Sequence, residues 1–562
     1  MNTPYTITNL KVVQKEINLN EELFFDTETD SSLGFYSTIK LAQFYQKSWS
    51  EVLIVKEPGP KTLMSILDSV TVVMQNSSYD ISTIQQQTGT RYVPKKFHDT
   101  LLLGRLQFYT ETAFTLDNLM FIALGFDPYL GQDINKKDFQ KYNWKKNLYE
   151  EQMLIYSATD VYYMPQVFEA CKEHLTNQIY EIDILTLRDS LDWQNNGFPV
   201  DERKRLVMEM KNEMEIAEIN CPVNVNSWKQ VRPYIGENES DGLALARFEK
   251  EGNVRAKEVR RARKLLKQNS FLKKYKTPDN RIYGKFAPVA RSGRFTCKDQ
   301  NLQQLFREGK KVFGYKTGGS KVLVYSDFAQ IQLRVACAQA MDKTMAQLFY
   351  DKVDVHSFAR DKFFEERDKK SRTITKTCNF NLLFGGSSNM LGNIMLKDMD
   401  ILLPEAQLIK LKKEWLKLWT GIADWQERGI KMWQRGQAHQ TPLGRKYLGK
   451  LMTDQLAIEI QGAEAEVAKL ALYRINKKIK EIPSALLCNM IHDSFILECD
   501  NKPEIYQPLA LLVGESMKSA WEDMSQYFNI KDIPNPVQVV VGYNWADVEN
   551  EDLPNVYKLT FN

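Results

Sequence analysis

Four acidic side chains and one tyrosine in the first third of the chain have the types and spacing of a hydrolytic metal site. Asp26 and Glu28 lie in LFFDTETD (residues 23–30), directly after an apolar run. Side chains two apart on a strand face the same way, so both carboxylates point to one side. Like charges about 4 Å apart repel by several kcal/mol at an effective dielectric of about 20, and a divalent cation between them removes the conflict. A lone DxE pair is also what a solvated strand end presents. Asp80 in NSSYD, after the apolar TVVMQ, and Asp160 in YSATD, with Tyr156 one helical turn before it, enlarge the set. A second group follows in the C-terminal half. Asp327 closes the apolar run of VYSDFAQIQLR, and Asp493 lies in MIHDSF between two apolar runs, a pattern that reads as a hairpin with His492 and Asp493 at its turn. Between them, SRTITKTCNFNLLFGG (371–386) sets Arg372, Lys376, Phe380 and Phe384 four residues apart, so two cations and two rings share a helix face. Cations for phosphate and rings for base and sugar suit a nucleotide; core rings with snorkelling cations give the same pattern.

The elements that must position these groups differ along the chain. Up to about residue 180, short β-rich runs (23–25, 38–44, 52–55 and 72–74) alternate with amphipathic stretches, which predicts an α/β domain. From about 183 to 275 the strands give way to charged helical patterns. These end in RAKEVRRARKLLKQNSFLKKYK (255–276), where 10 of 22 residues are Lys or Arg. Such a run is either a solvated face or a set of phosphate contacts. Beyond 280 a strand at KVLVYS, a helix-rich block to about 436, and strands near 485–499 and 537–541 predict an α+β region with an inserted helical segment. No repeat or low-complexity tract interrupts the pattern.

Composition narrows the classes. At 562 residues, roughly 100 to 200 residues per domain implies about three to five units. The 43% apolar and 26% charged content is that of a globular protein, and a net charge of +4 means that any attraction to nucleic acid comes from local clustering. No run approaches the roughly 18 apolar residues of a membrane span, and the first twenty residues carry no signal-peptide core, so a cytoplasmic location is expected. Seven scattered cysteines without a CxxC pair suit a reducing compartment and exclude a zinc framework.

In order and context the N-terminal set resembles the DEDD 3′–5′ exonucleases of the tyrosine subclass, and HDTLLLGRLQFYTETAFTLDNLMFIALG (98–125) resembles the segment between that family's second and third motifs. The resemblance implies a ribonuclease H-like α/β domain in which Asp26, Glu28, Asp80 and Asp160 bind metal and Tyr156 orients the attacking water. VYSDFAQIQLR, the 371–386 helix and MIHDS resemble motifs A, B and C of the family A, DNA polymerase I-like, DNA polymerases. That likeness implies an α+β right-hand polymerase of palm, fingers and thumb. Asp327 and Asp493 would hold two catalytic metals, with the Phe328 carbonyl as a further ligand. Gln330, Gln332, His356, Arg372, Lys376, Phe380 and Phe384 would bind the incoming dNTP, with Lys376 at the leaving pyrophosphate. RSGRFTCKDQNLQQLFR (291–307) resembles the primer-template segment and implies DNA contacts for Arg294, Asn301 and Gln303. Gln461 and His492 would steady the primer terminus. Mg²⁺ is the implied cofactor, two per active site, with Mn²⁺ as a substitute.

The domains expected are an exonuclease at 1–182, a basic helical thumb at 183–285, palm at 286–340 and 437–562, and fingers at 341–436. With about 20 residues before the acidic strand, no leading 5′ nuclease is expected. The compact chain, with a thumb too short for a clamp-recruiting insertion, resembles bacteriophage replicative enzymes and implies a monomer acting in a host cytoplasm on primer-template DNA; no processivity factor is indicated. Four positions depart from the polymerase pattern: Gln332 replaces a Glu, Phe384 a Tyr, Ser494 a Glu and Ala457 an Asn. The Glu and Tyr hydrogen-bond to each other in the family and bar a 2′ hydroxyl, so sugar selection is the activity these changes touch. The rival readings are a single-subunit RNA polymerase, which the nuclease set opposes, and an inactive primer-template binding protein, which six intact acids oppose.

Overall fold

The structure is a computed structural model that describes residues 3–30, 37–130, 150–549 and 557–561. The chain divides into two compact units: residues 1–196 with 285–299 and 443–446, and residues 197–284 with 300–442 and 447–562.

The first unit is built on a six-stranded mixed sheet in the order Tyr5–Thr8, Val52–Lys56, Ile39–Tyr45, Leu23–Thr29, Val72–Met74, Phe97–Asp99. Leu23–Thr29 lies inside, antiparallel to Ile39–Tyr45 and parallel to Val72–Met74. Its apolar run is inaccessible, with Leu23, Phe24 and Phe25 at 0% exposure, as a strand covered on both faces requires. Phe168, from the helix Met164–Cys171, meets Phe24 edge-on at 6.0 Å between ring centroids. Asp99 starts the helix Thr100–Gln107 by accepting from the backbone N–H of Leu101, and it also takes the Ser77 hydroxyl at 2.7 Å. Buried without a full charge partner, its carboxyl is pushed above the usual range.

Although the palm is expected to open at 286, residues 285–299 group with this unit. Phe286 places its ring 4.6 Å from that of Trp193, and its carbonyl accepts from Ser190 Oγ at 3.0 Å. The short segment 443–446 joins the same unit through Arg445, whose guanidinium pairs with Asp183 where both are buried.

The second unit holds a five-stranded antiparallel sheet in the order Leu486–Ile491, Ser494–Asp500, Lys321–Phe328, Val537–Gly542, Tyr557–Phe561. The helices Met452–Ile479 and Pro503–Ser525 pack against each other, and the second also packs on the sheet. Between Lys321–Phe328 and Leu486–Ile491 the chain leaves as a run of helices from Ile331–Ala340 to Thr420–Gln434. Ahead of the sheet, the helix Glu202–Ile219 runs along Val254–Lys274, and Val231, Leu245, Phe248 and Val259 form a separate small core beside them.

Arg445→Met removes the counter-charge of a carboxylate that is 0% exposed. The first unit should lose about 3–5 kcal/mol, the cost of leaving one partner of a buried pair alone. Adding Asp183→Asn should recover part of that loss. Urea unfolding followed by fluorescence measures both, and equal midpoints for Arg445→Met and wild type would show that the pair does not hold the segment.

Candidate active sites

The first site forms where the strand Leu23–Thr29 meets the helix Glu151–Tyr162. Asp26, Glu28 and Asp160 each bring a carboxylate oxygen within 4.8 Å of the others. The fourth expected acid, Asp80, sits in the first turn of Ser78–Thr88, 1% exposed, and takes the Thr27 hydroxyl at 2.6 Å. Burial pushes its carboxyl up to about 7 in spite of that bond. Asp26 is raised well above the carboxylate range, first by burial and then by Asp80, Asp160 and Glu28. The three other acids therefore all bear on Asp26, and an all-oxygen set under such repulsion fits a hard divalent cation. Tyr156, four residues before Asp160 on the same helix, is buried and hydrogen-bonded to it. Tyr129 was not foreseen. It donates its hydroxyl to Asp160 and stands 5.9 Å from the Tyr156 ring. It comes from a turn in which Asp127 Oδ1 accepts the Tyr129 N–H at 2.9 Å. The readable signal was only an Asp-Pro turn, with no spacing to link it to the acids.

The second site lies on the antiparallel sheet. Asp327, one residue from the end of the strand Lys321–Phe328, pairs in register with Ser494, so it adjoins Asp493 in the turn between Leu486–Ile491 and Ser494–Asp500. The expected His-Asp hairpin is present, with His492 exposed and left-handed at φ 56°. Phe328, the last strand residue, has its ring buried. Burial pushes the Asp327 carboxyl up to about 7, Glu549 and Glu464 add to this, and the Lys376 cation opposes it. Both aspartates also raise the buried Tyr325 phenol, after burial itself.

Lys376 lies mid-way along the helix Lys369–Leu383, whose face carries the expected row Arg372, Lys376 and Phe380, with Phe384 closing the helix. Asp368 caps its start, accepting from the Ser371 N–H at 2.7 Å. A cavity of about 640 Å³ is lined by Lys376, Phe380, Phe384, Met390, Met399 and Ala457. Ala457 thus opens onto the same space as Phe384. Arg372 is held by Asp354 at 3.0 Å, and Gln330 donates to the other oxygen of Asp354 at 3.0 Å. Burial would raise the Asp354 carboxyl, but the Ser357 hydrogen bonds and Arg372 draw it down to about 2. His356 is 2% exposed, 5.8 Å from the Phe380 ring, and burial lowers it to about 4. Gln332, in the first turn of Ile331–Ala340, has no hydrogen-bond partner among the described residues.

A model of DNA polymerase family A matches residues 203–547, and a 3′–5′ exonuclease model matches residues 1–176. The chain belongs to DNA polymerase family A. A DNA polymerase I of Aquifex aeolicus is 24% identical over 593 aligned positions, spanning 96% of this chain and 98% of its own. One from Helicobacter pylori is 25% identical over 62% of this chain and 43% of its own length. A solved structure described as the POL domain of Pol1 from M. smegmatis in complex with DNA primer-template and dNTP shares the fold with a TM-score of 0.77, covering 97% of this chain and all of that one at 17% identity. The expected family and its two-part fold are borne out: this is a DNA-directed DNA polymerase with a 3′–5′ exonuclease domain. No helix among the described residues is long and apolar enough to cross a membrane.

The residues expected to hold primer and template fall in both units of this family A enzyme. Arg294 lies in segment 285–299 of the first. In the second, Asn301 Oδ1 accepts the Gln303 N–H at 3.0 Å, and Gln303 Nε2 donates to the Met490 carbonyl at 3.2 Å, which ties this segment to the hairpin bearing Asp493. Gln461 is half-buried on Met452–Ile479. The basic run 255–276 is largely occupied within the fold. Arg260 pairs with Glu249 and Asp400, Arg261 with Glu215, Lys264 with Glu308 and Lys273 with Glu213, while Arg263 donates to the carbonyls of Val225 and Ser240. Lys257, Lys267, Lys274 and Lys276 are exposed and make no ion pair among the described residues.

Asp26→Asn should stabilise the metal-free first unit. The folded-state shift of Asp26 is upward, so its penalty is absent in acid and grows as pH rises through the folded value. At about pH 8 and in chelator, relief of about 1–2 kcal/mol raises the first unit's midpoint by roughly 2–8 °C. Differential scanning calorimetry reads it, and a lower midpoint would show that the acids are not in conflict.

Proposed function

We propose that the two sites perform opposing phosphoryl-transfer reactions at a primer 3′ end: template-directed addition of deoxynucleotides at Asp327 and Asp493, and hydrolytic removal at Asp26, Glu28, Asp80 and Asp160. The supporting observation is the Lys376 cation bearing on Asp327, which brings a phosphate-binding helix face and an acidic strand end to one place. Divalent cations held by these carboxylates, Mg²⁺ with Mn²⁺ as substitute, would lower the pKa of the attacking hydroxyl or water and neutralise charge on the leaving oxygen. The residues do the rest. Asp327, Asp493 and the Phe328 carbonyl are the polymerase ligands. Arg372 exchanges Asp354 for the triphosphate, Gln330 keeps Asp354 in place as it does so, and His356 donates a hydrogen bond to the same group. Lys376 offsets charge on the departing pyrophosphate. Phe380 and Phe384 pack on the sugar and nascent pair, with Gln461 and His492 at the primer terminus and Arg294, Asn301 and Gln303 along the duplex. In the exonuclease, Tyr156 orients the water that attacks phosphorus as the 3′ oxygen leaves.

We read residues 1–182 as exonuclease, 183–285 as thumb, 286–340 and 437–562 as palm, and 341–436 as fingers. The role we infer is replicative synthesis with proofreading. Length does not single out a phage enzyme, because the Aquifex aeolicus relative has the same extent. An RNA polymerase reading gains nothing from a chain whose residues 1–176 match an exonuclease.

Asp26→Ala should abolish degradation of a single-stranded 3′ end and leave primer extension intact, while Asp327→Asn should cut extension at least about a hundredfold and spare degradation. Loss of both activities in either folded variant would show that the two sites are not separate. Replacing Lys257, Lys267, Lys274 and Lys276 by Gln should flatten the salt dependence of duplex binding by about 0.9 log unit for each phosphate no longer neutralised; an unchanged slope would make them plain surface. The sugar gate is looser than in the family. Gln332 nearly matches the bulk of Glu but has no partner, and a missing bond of about 0.5–1.5 kcal/mol weakens ribonucleotide rejection roughly two- to twelvefold. The pair Gln332→Glu with Phe384→Tyr should restore it in single-nucleotide incorporation assays, and unchanged rejection would mean that Gln332 is already positioned on substrate binding.

A further inference from the structure

The helix Glu405–Leu418 brings Trp415 against Asn379, and Asn379 against His356 from the helix Val355–Phe363. All three side chains are sealed from solvent, at 0%, 0% and 2% exposure. The hydrogen bonds between them can be assigned from chemistry alone. An indole N–H donates and cannot accept. Trp415 Nε1 lies 2.8 Å from Asn379 Oδ1, so that end of the amide must be the oxygen. The reverse orientation would set two donors face to face in a dry interior. The amide nitrogen therefore points the other way, 2.8 Å from His356 Nδ1. An amide nitrogen only donates, so Nδ1 must present its lone pair, and the one imidazole proton is on Nε2.

We propose that Trp415 and Asn379 are positioning residues that lock His356 as the neutral Nε2–H tautomer, so that it meets the incoming triphosphate as a single uncharged donor and not as a third cation beside Arg372 and Lys376. The role of His356 at the triphosphate rests on the function proposed above; the tautomer does not. Protonating Nδ1 would force it against the Asn379 N–H, and Asn379 cannot turn without abandoning Trp415. The charged groups that bear on His356 agree with this state. Asp354, at the start of its own helix, favours the cation, while Arg372 and Lys376 on the facing helix and the burial of the ring disfavour it, and the balance lies low, at about 4. Among the described residues no other charged group bears on the ring. The consequence is functional. Two fixed cations hold the triphosphate, and the third contact adds direction without adding charge, so affinity stays level across neutral pH and pyrophosphate is not held by an imidazolium.

The test uses the full chain labelled with ¹⁵N-histidine. Five histidines are present, and His356→Gln assigns the signal of interest by its loss. Two-bond ¹H–¹⁵N spectra should show His356 with a protonated Nε2 and a bare Nδ1, unchanged from about pH 5.5 to 8. An Nδ1–H tautomer, or a titration in that range, overturns the proposal. Asn379→Asp offers an acceptor to Trp415 and His356 alike, so His356 should become a cation. Nucleotide affinity, level with pH in the wild type, should then be about tenfold stronger at the acid end than at the alkaline end, the effect of one hydrogen bond becoming charge-assisted. Trp415→Phe adds no charge and frees the amide to turn its oxygen toward Nδ1, so the neutral Nδ1–H tautomer of His356 should become populated; if His356 keeps the wild-type signature in both variants, the relay does not set the tautomer. His356→Ala separates the two claims. Unchanged nucleotide affinity in that variant would remove His356 from the triphosphate while the wild-type spectrum still judged the tautomer.

Discussion

Carboxylates that repel one another are held together by backbone ladders that cannot yield. Asp26 and Glu28 pair in register with Ile39–Tyr45, and Leu23 and Phe24 earlier on the same strand pair on the other side with Val72–Met74. Asp327 stands on a strand paired along its length to Ser494–Asp500 on one side and to Val537–Gly542 on the other. A loop would relax such a conflict by moving; a central strand with a buried apolar run cannot, because every outward shift exposes core. Burial on these strands and their neighbours raises the carboxyls, first by desolvation and then by nearby acids, to about 7 for Asp80 and for Asp327. Nucleic acid chemistry needs this arrangement. A rigid, partly buried set of oxygens with excess negative charge favours a small divalent cation by charge and size, and the sheet fixes where the charge sits before any substrate arrives.

Opposite charge is then kept from collapsing onto the acids. Arg372 is parked on Asp354, which Gln330 and Ser357 also hold, so its guanidinium is restrained. Lys376 is exposed and makes no ion pair among the described residues, and it is the cation whose charge reaches Asp327. Of the two cations in the row Arg372, Lys376 and Phe380, one is thus restrained and the other available.

Much of this was legible because it obeys local periodicity. The DxE pair after an apolar run, the i,i+4 relation of Tyr156 to Asp160, the His-Asp turn between two apolar runs and the four-residue spacing of Arg372, Lys376 and Phe380 all follow from one strand or one helix. What escaped depends on contacts between elements distant in sequence. Tyr129 reaches Asp160 from a turn, and Trp415 reaches Asn379 from a helix 36 residues away in sequence. Residues 285–299 group with the first unit through a contact of the same kind, the Phe286 ring on Trp193. The basic run is the reverse case: its composition is plain, but the acids that pair with Arg260, Arg261 and Lys264, namely Glu249, Asp400, Glu215 and Glu308, lie outside it in the chain.

That occupancy changes how the molecule attracts DNA. With a net charge of +4, long-range attraction is weak, and a helix whose arginines are tied to carboxylates contributes little field of its own. The free cations are lysines, flexible and strongly hydrated, suited to sequence-independent phosphate contact and to letting a duplex slide, whereas the arginines that could grip a phosphate bidentately are held in the fold. Arg260 also bridges to Asp400 and to the Lys397 carbonyl, residues at the end of the helix Ser388–Met399, and Met390 and Met399 of that helix line the cavity beside Lys376 and Phe380. The ion pairs of the basic helix therefore act chiefly on the protein's own geometry, bracing the wall of that cavity, and leave only a few lysines of the run without an ion pair among the described residues.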